Sequence, residues 1–223
     1  MTPRYPAFTV ALLGGESSGK TTLAMELQQH LSSAHGLQVV RVTEHLREWS
    51  EAAGRAPHAH EQAAVAEAQS QRIAAAQCRP GVDVVLADTT ALMVAAYSAL
   101  YFQDRSLLAP ALAAQCHCHL TLLMGLDLPW VPDGLFRDSP SVRDATDGWL
   151  RRELQGAGMA FQTVYGQGPA RLQQALRALG AALGRPLVAQ DPALATGLRP
   201  WSCENCSDPD CEHRLFTGLL ART

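Results

Sequence analysis

"GGESSGKT", residues 14–21, is the stretch that decides the fold of this chain. It fits the pattern G-x-x-x-x-G-K-[ST], with Lys20 and Thr21 at its end. An apolar run, residues 8–13, precedes it, and a segment with helical periodicity follows it. In such a context the glycines let successive backbone N–H groups curl around a phosphate, and the helix N-terminus adds partial positive charge. The sequence therefore predicts a loop that binds the phosphates of a nucleoside triphosphate.

Lys20 is the sole lysine of the chain. In a loop of this kind the lysine reaches the β- and γ-phosphates, and the hydroxyl after it ligates Mg²⁺. We therefore expect ATP with Mg²⁺ as the ligand, Lys20 as a catalytic residue and Thr21 as a metal ligand. The predicted nucleotide-binding residues are Gly14, Gly15, Glu16, Ser17, Ser18, Gly19, Lys20, Thr21 and Thr22.

Apolar runs alternate with helical segments along the chain. Further strands are predicted at residues 37–44, 82–90, 119–126 and 161–166, and helices between them, two of which lie within residues 46–78. This alternation predicts an α/β fold of the P-loop NTPase class, with about five parallel strands and helices on both faces of the sheet.

The 223 residues suffice for one enzyme-sized domain with an appendage. We assign residues 1–183 to a P-loop domain with a lid at about residues 127–145, and residues 184–223 to a small Cys-rich C-terminal extension. The formal net charge of −3 provides no bulk attraction to phosphate polymers, so a nucleic-acid partner is not expected. The amino-terminal apolar run is too short to span a membrane, so we expect a cytoplasmic protein without a membrane partner.

Two carboxylates and an arginine are predicted at the edge of the sheet where ligands of open α/β folds bind. Asp88 ends the third strand and could hold Mg²⁺; the alternative is a helix N-cap, a position that Thr89 or Thr90 could fill equally well. Glu44 ends the second strand and could accept a proton from an attacking hydroxyl or bind ribose hydroxyls; the alternative is an N-cap or surface glutamate. Arg47 could pair with Glu44, contact phosphate or be an ordinary surface arginine.

Four stretches together resemble the ribosylnicotinamide kinase domain of the NadR-type proteins, a family of P-loop kinases. They are GGESSGKTTL at 14–23, TEHLREW at 43–49, ADTT at 87–90 and PWVPDGLFRD at 129–138. Their order and spacing match across roughly residues 8–180. The fourth stretch carries most of the resemblance, because the first is shared by many P-loop proteins. The resemblance implies a kinase-like domain that transfers a phosphoryl group from ATP to ribosylnicotinamide.

The resemblance also implies roles for residues of the lid. Trp130 would stack on the flat, cationic nicotinamide ring, with a hydrophobic plug as the alternative. Asp127 and Asp133 would add polar contacts, and Arg137 would meet phosphate charge as the lid closes. This arginine follows DGLF, whereas the family has DGLR, so Arg143 is the alternative lid arginine. The acceptor-binding residues are then expected to be Glu44, Arg47, Trp130, Asp133 and Arg143.

The C-terminal extension contains a candidate zinc site of the pattern C-x-x-C-x₄-C-x-H. Four such ligands can close a tetrahedral Zn²⁺ site, which would be structural because no coordination position stays open. A redox dithiol or unliganded thiols are the alternatives. A tail of this kind could also contact a protein partner. The proposed ligands are Cys203, Cys206, Cys211 and His213.

A second cluster of cysteine and histidine, CHCHL, occupies residues 116–120. Alternation on a strand would place Cys116 and Cys118 on one face and His117 and His119 on the other. A single four-ligand metal site is then sterically disfavoured, and we expect a structural role for the cluster.

The leading hypothesis is an ATP-dependent small-molecule kinase with a nucleoside-like acceptor, ribosylnicotinamide, which would place the protein in NAD salvage. The alternatives are a kinase for another nucleoside or metabolite, and a regulatory ATP-binding protein or ATPase that uses its Cys-rich tail to contact a partner. The helix at 58–78 could lend Gln69 or Arg72 to the acceptor pocket, or could only cover the sheet. The predicted catalytic residues are Lys20, Glu44, Asp88 and Arg137.

Overall fold

Parallel strands form a five-stranded sheet in the order β2-β3-β1-β4-β5. The computed structural model describes residues 6–132 and 139–188. The predicted α/β class is confirmed, and the observed strands are shorter than the predicted apolar runs. The strands are β1 (Phe8–Leu13), β2 (Val39–Val42), β3 (Val84–Asp88), β4 (Leu120–Met124) and β5 (Gln162–Val164).

Helices alternate with these strands, as the sequence pattern predicts. The two helices expected within residues 46–78 are α2 and α3, and Gly54 ends α2 in the left-handed conformation with a φ of 68°. A short 3₁₀ helix, Ala59–Glu61, leads directly into α3. The helices are α1 (Lys20–His35), α2 (His45–Ala53), α3 (Gln62–Gln77), α4 (Ala91–Phe102), α5 (Leu108–Gln115), α6 (Pro140–Gly156) and α7 (Pro169–Ala182).

Both faces of the sheet are covered by helices. Val10 and Leu12 of β1 lie in one apolar cluster with the buried side chains of α1 and α7. Leu13 lies in a second cluster with side chains of α4 and α6, on the opposite face. Successive residues of a strand point to opposite faces of the sheet, and helices cover both faces here. Both sets of β1 side chains are therefore buried, which explains the continuous apolar run of this strand.

The strand register brings the functional segments to one edge of the sheet. Leu12 of β1 is paired with Asp88 of β3, and Val42 of β2 is paired with Ala87. The loop after β1, Asp88 and the residues after Val42 therefore meet at the carboxyl ends of three adjacent strands. Ligands bind at this edge in open parallel sheets.

Within the described ranges, no helix has both the length and the apolar character that a membrane span requires. Leu187, just beyond α7, is buried against the core, and its carbonyl oxygen lies 3.1 Å from His35 Nε2. The division of the chain at residue 183 stays a prediction, because most of the proposed extension lies outside the described residues.

Candidate active site

The phosphate-binding loop has a backbone that few residue types could adopt. Gly14 and Gly19 have φ values of 146° and 81°, in the region that favours glycine. A Cβ atom at Gly14 would lie 2.9 Å from the Met124 Cβ, and one at Gly15 would lie 2.6 Å from the backbone oxygen of Arg143. Packing and backbone conformation thus both require glycine at position 14, backbone conformation favours it at position 19, and packing requires it at position 15.

Lys20 lies folded against the loop that precedes it. Its Nζ donates hydrogen bonds to the carbonyl oxygens of Gly14, at 2.8 Å, and Gly15, at 3.0 Å. Ser18 Oγ donates to the same Gly15 carbonyl at 2.7 Å. The ammonium group is therefore held at the mouth of the loop, where the motif predicts it.

A cavity of about 450 Å³ opens beside this loop. Its lining combines charged groups, Glu16, Lys20, Glu44 and Arg47, with apolar and aromatic surface. The loop contributes residues 16–22, the α2 region contributes Glu44, Leu46, Arg47 and Ser50, the segment before α3 contributes Ala56, Pro57 and Gln62, and α4 contributes Tyr97, Tyr101 and Phe102.

Glu44 and Arg47 both reach this cavity, as the acceptor-site hypothesis requires. Glu44 occupies the N-cap position of α2, but its side chain makes no capping hydrogen bond. The Arg47 Nε lies 3.5 Å from the Glu51 Oε1 within the same helix. The position of the Glu44 carboxylate is thus compatible with contact to a bound molecule, and its catalytic role stays a prediction.

Asp88 lies at the end of β3 and is 2% exposed. Its Oδ2 is 3.7 Å from the Arg41 Nη1, while its Oδ1 is buried without a hydrogen-bond partner among the described residues. The capping role belongs to Thr90, whose Oγ1 accepts a hydrogen bond from Leu92 N at 3.3 Å. An unpaired buried carboxylate oxygen beside the phosphate loop fits a ligand of Mg²⁺, and Thr21, the other expected ligand, lines the cavity.

A buried glutamine connects the segments that carry Glu44 and Asp88. The Gln69 Oε1 accepts a hydrogen bond from His45 N at 2.7 Å, and its Nε2 donates to the Thr89 carbonyl at 3.2 Å. Thr89 has a φ of 77°, which is strained for a β-branched residue. Gln69 thus fixes the start of α2 and the strained residue after Asp88, and it does not line the cavity.

Arg72, the other α3 residue considered for the acceptor pocket, contacts Glu48 instead. A hydrogen bond from Thr43 and the interaction with Arg72 lower the pKa of the Glu48 carboxyl. Burial, and secondarily Arg72, lower the pKa of His45. Arg72 thus forms an ionic contact between α3 and α2. The helix α3 itself covers the sheet.

The beginning of the lid rests on the phosphate loop. Val131 N donates to the Ser17 Oγ at 2.9 Å, and the Arg143 Nη1 donates to the Leu128 carbonyl at 2.8 Å. Trp130 is half-buried, and its Nε1 has no hydrogen-bond partner within the described part of the chain. Trp130 and Arg143 are not among the cavity-lining residues given above, and their acceptor roles stay predictions.

Several predicted residues lie outside the described ranges, and their roles stay predictions. Asp133 and Arg137 of the lid belong to this group. So do the proposed zinc ligands Cys203, Cys206, Cys211 and His213.

Arg171, at the start of α7, is a site residue that the sequence analysis missed. It is 4% exposed; its Nε donates to the Gly166 carbonyl at 2.8 Å, and its Nη1 donates to the Ser18 carbonyl of the phosphate loop. Its Nη2 donates to the Asp127 Oδ1 at 2.6 Å. Desolvation by burial lowers the pKa of Arg171, which Asp127 opposes. Asp127 therefore braces the loop through Arg171.

The aromatic residues of α4 were missed as well. Tyr97 and Tyr101 are four residues apart, so they lie on the same side of the helix, and Phe102 follows. Tyr101 and Phe102 are 46% and 41% exposed, and both belong to the lining of the cavity. The available sequence signal was the group of aromatic residues that follows Asp88 along the chain.

The CHCHL cluster packs as ordinary structure. The His119 ring stacks on Phe8 with centroids 4.8 Å apart, and its Nδ1 accepts a hydrogen bond from Thr9 N at 3.0 Å. Burial, and secondarily the neighbouring Cys116, raise the pKa of the Cys118 thiol to about 12. A neutral, protonated thiol is a poor metal ligand.

Comparisons with known proteins agree with this architecture. A family model described as an AAA domain matches residues 9–171. A NadR protein in complex with NR superposes with a TM-score of 0.70 at 20% identity, over 83% of this chain and 54% of that chain. A NadR protein in complex with NAD and AMP-PNP gives 0.67 at 20% identity, over 83% and 52%. Thymidylate kinase from Ehrlichia chaffeensis gives 0.57 at 12% identity, over 78% and 99%.

The chain spans about half of the length of the NadR structures that it matches. No curated protein matches the chain significantly. The similarity confirms the predicted fold: the described residues form a five-stranded parallel sheet with flanking helices, a P-loop kinase-like fold.

Proposed function

The chain belongs to the AAA domain family, and on that premise we propose that it is an ATP-dependent kinase for a nucleoside-like acceptor, with ribosylnicotinamide as the leading candidate. One observation carries the proposal: the phosphate-binding loop and a set of aromatic rings line the same cavity of about 450 Å³. A nucleoside has a ring to stack and a hydroxyl to phosphorylate. Cavities for small molecules commonly measure about 300–1,000 Å³, and this cavity lies within that range.

The described side chains suit phosphoryl transfer. Lys20 and the loop amides would hold the phosphates of ATP. Thr21 and Asp88 would hold Mg²⁺, which neutralises phosphate charge when bound. As the acceptor hydroxyl oxygen bonds to the γ-phosphorus, Glu44 would take its proton, and ADP would leave as the bond to the bridging oxygen breaks. Most of the acceleration would come from placing the two reactants in line.

Aromatic rings and carboxylates in one cavity are compatible with a cationic ring as the acceptor. Tyr97 and Tyr101 line the cavity with Glu16 and Glu44, and Lys20 and Arg47 add two positive charges to the same lining. A delocalised cation such as the nicotinamide ring is attracted both to ring faces and to carboxylates. The NadR protein that was solved in complex with NR supports the same choice. Trp130 of the lid would cover the ring from its other side.

A neutral nucleoside is the second candidate acceptor. The rings of Tyr97, Tyr101 and Phe102 would stack on any base, because each base has an apolar face. In that case the carboxylates would bind ribose hydroxyls and would not select for positive charge.

The test is ADP release by the purified protein with Mg·ATP. Ribosylnicotinamide is compared with a panel of common nucleosides and with a blank that lacks acceptor, and Lys20→Ala serves as the inactive control. We expect turnover with ribosylnicotinamide well above the blank, and its loss in Lys20→Ala. Turnover with a different nucleoside alone would transfer the assignment to that acceptor. Release equal to the blank with every acceptor would refute the kinase and favour a regulatory ATP-binding protein.

A further inference from the structure

Gln62, the first residue of α3, has a buried side chain that the proposed reaction does not use. It is 4% exposed, and it belongs to the lining of the cavity. Its Nε2 donates a hydrogen bond to the Pro57 carbonyl at 3.0 Å. Its Oε1 is buried and has no hydrogen-bond partner among the described residues. The NH₂ group of the amide is therefore paired, whereas the amide oxygen is not.

The orientation of this amide is set by its surroundings. Only the NH₂ end of the Gln62 amide can pair with a carbonyl oxygen, so the contact with Pro57 fixes which end of the amide carries the unpaired oxygen. A flipped amide would place two oxygen atoms against each other. The unpaired group is therefore an acceptor, and it can be satisfied only by a donor.

The segment that holds Pro57 is itself braced. Glu61 accepts hydrogen bonds from His58 N at 2.8 Å and from the Arg55 guanidinium at 2.7 and 2.9 Å. These contacts, the one with Arg55 first, lower the pKa of Glu61 to about 2, so the carboxylate stays charged at neutral pH. The Arg55 guanidinium also lies over the Trp49 ring, 5.0 Å from its centroid. The loop is thus held in place, and Gln62 cannot easily turn to find another partner.

We infer that Gln62 determines which acceptor is phosphorylated, by accepting a hydrogen bond from an N–H group on the acceptor's ring. A buried acceptor atom is seldom left without a partner, and the residue that carries this one lines the cavity. The inference deepens the proposed function and rests on it. It names the acceptor class: a ribosylated ring with a carboxamide or exocyclic amine, held between Gln62 and the rings of α4. A ring carboxylate in the same place would bring two acceptors together and be rejected.

Two ribosylated pyridines that differ only in this group provide the test. They are ribosylnicotinamide, with a carboxamide, and nicotinic acid riboside, with a carboxylate. For the native chain we expect kcat/KM to favour the amide by about 10- to 100-fold, the size of one buried hydrogen bond. Binding of both compounds is also measured by calorimetry without ATP.

Two variants separate recognition from structure. Gln62→Met removes the acceptor oxygen, whereas Gln62→Glu keeps acceptor oxygens at the same place, and both lose the hydrogen bond to the Pro57 carbonyl. We expect the ratio of kcat/KM for the amide to kcat/KM for the acid to fall towards one in Gln62→Met and to stay high in Gln62→Glu. The KM for ATP should be unchanged in both variants. Gln71→Met, on the exposed side of the same helix, is the control and should behave like the native chain.

The possible results distinguish this inference from the proposed function. Turnover with ribosylnicotinamide and an unchanged amide preference in Gln62→Met would overturn the role of Gln62 and leave the kinase in place. An equal loss of the amide preference in both variants would show that the substitutions act through the structure of the site, and it would also overturn the role of Gln62. Binding that prefers the amide and depends on the Gln62 oxygen, without turnover, would support the recognition role and refute phosphoryl transfer. Absence of binding by either compound would overturn the inference.

Discussion

Replacement of Arg171 by methionine should destabilise the fold and loosen the phosphate-binding loop. The substitution leaves the carbonyl oxygens of Gly166, Ser18 and Gly125 without their donor, and it removes the partner of Asp127. Loss of one member of a buried ion pair typically costs about 3–5 kcal/mol. Asp127 is 31% exposed, and its Oδ2 keeps a hydrogen bond from Gly166 N, so the low end, about 3 kcal/mol, is expected.

In a domain of this length each kcal/mol shifts Tm by about 2–4 °C, so Arg171→Met should melt roughly 6–12 °C below the native chain. Thermal unfolding and urea titration measure the loss, and the KM for ATP, which should rise several-fold, reports on the loop. Arg152→Met is the matched control, because the Arg152 side chain is 66% exposed on α6.

A double-mutant cycle with Asp127→Asn then isolates the charged pair. We expect a coupling free energy of about 1 kcal/mol or more between the two positions, since they are in direct contact. A drop in stability below about 1 kcal/mol for Arg171→Met, with the KM for ATP unchanged, would refute the view that this guanidinium holds the loop.

Three further changes have defined outcomes. Gly15→Ala should weaken ATP binding by at least about tenfold, because its Cβ would lie 2.6 Å from a backbone oxygen of α6; Gly148→Ala, which has open space, should bind ATP normally. Alkylation by iodoacetamide at pH 8, followed by peptide mass spectrometry, should modify Cys118 far more slowly than Cys78, because the pKa of Cys118 is raised to about 12 while Cys78 is exposed; equal rates would contradict this. Thr89→Gly should leave the melting temperature nearly unchanged or higher, because about 1–2 kcal/mol of strain is released against about 0.5–1 kcal/mol of added chain entropy; a clear loss would mean that the threonine side chain stabilises the fold.

The fold was predictable from the sequence because its signals are local. A glycine loop between a strand and a helix, and four more apolar runs at regular spacing, determine the parallel sheet without reference to distant contacts. The position of Asp88 follows from the same logic, since the carboxyl ends of neighbouring parallel strands meet at one edge.

The remainder of the site depends on contacts between distant parts of the chain. Arg171 and Ser18 are 153 residues apart, and an arginine at the start of a closing helix carries no local sign of such a partner. The resemblance assigns Asp127 a polar contact in the lid, whereas its pairing with Arg171 becomes visible only when β4 and α7 are brought together. Gln62 likewise carries no local signal, because it is one of several glutamines in a helical stretch, and its unpaired amide oxygen becomes visible only in the folded chain.

The contacts of Lys20 with the Gly14 and Gly15 carbonyls have a consequence for how the loop chooses among anions. A flexible lysine loses up to about 2 kcal/mol of rotamer entropy when it is fixed in one conformation. Here folding has already imposed much of that loss, so a phosphate does not have to supply it on arrival. An arriving phosphate competes with these two neutral carbonyl oxygens for the ammonium group. A polyphosphate with several negative charges should compete better than a weakly charged anion, so we expect the loop to select anions by charge density.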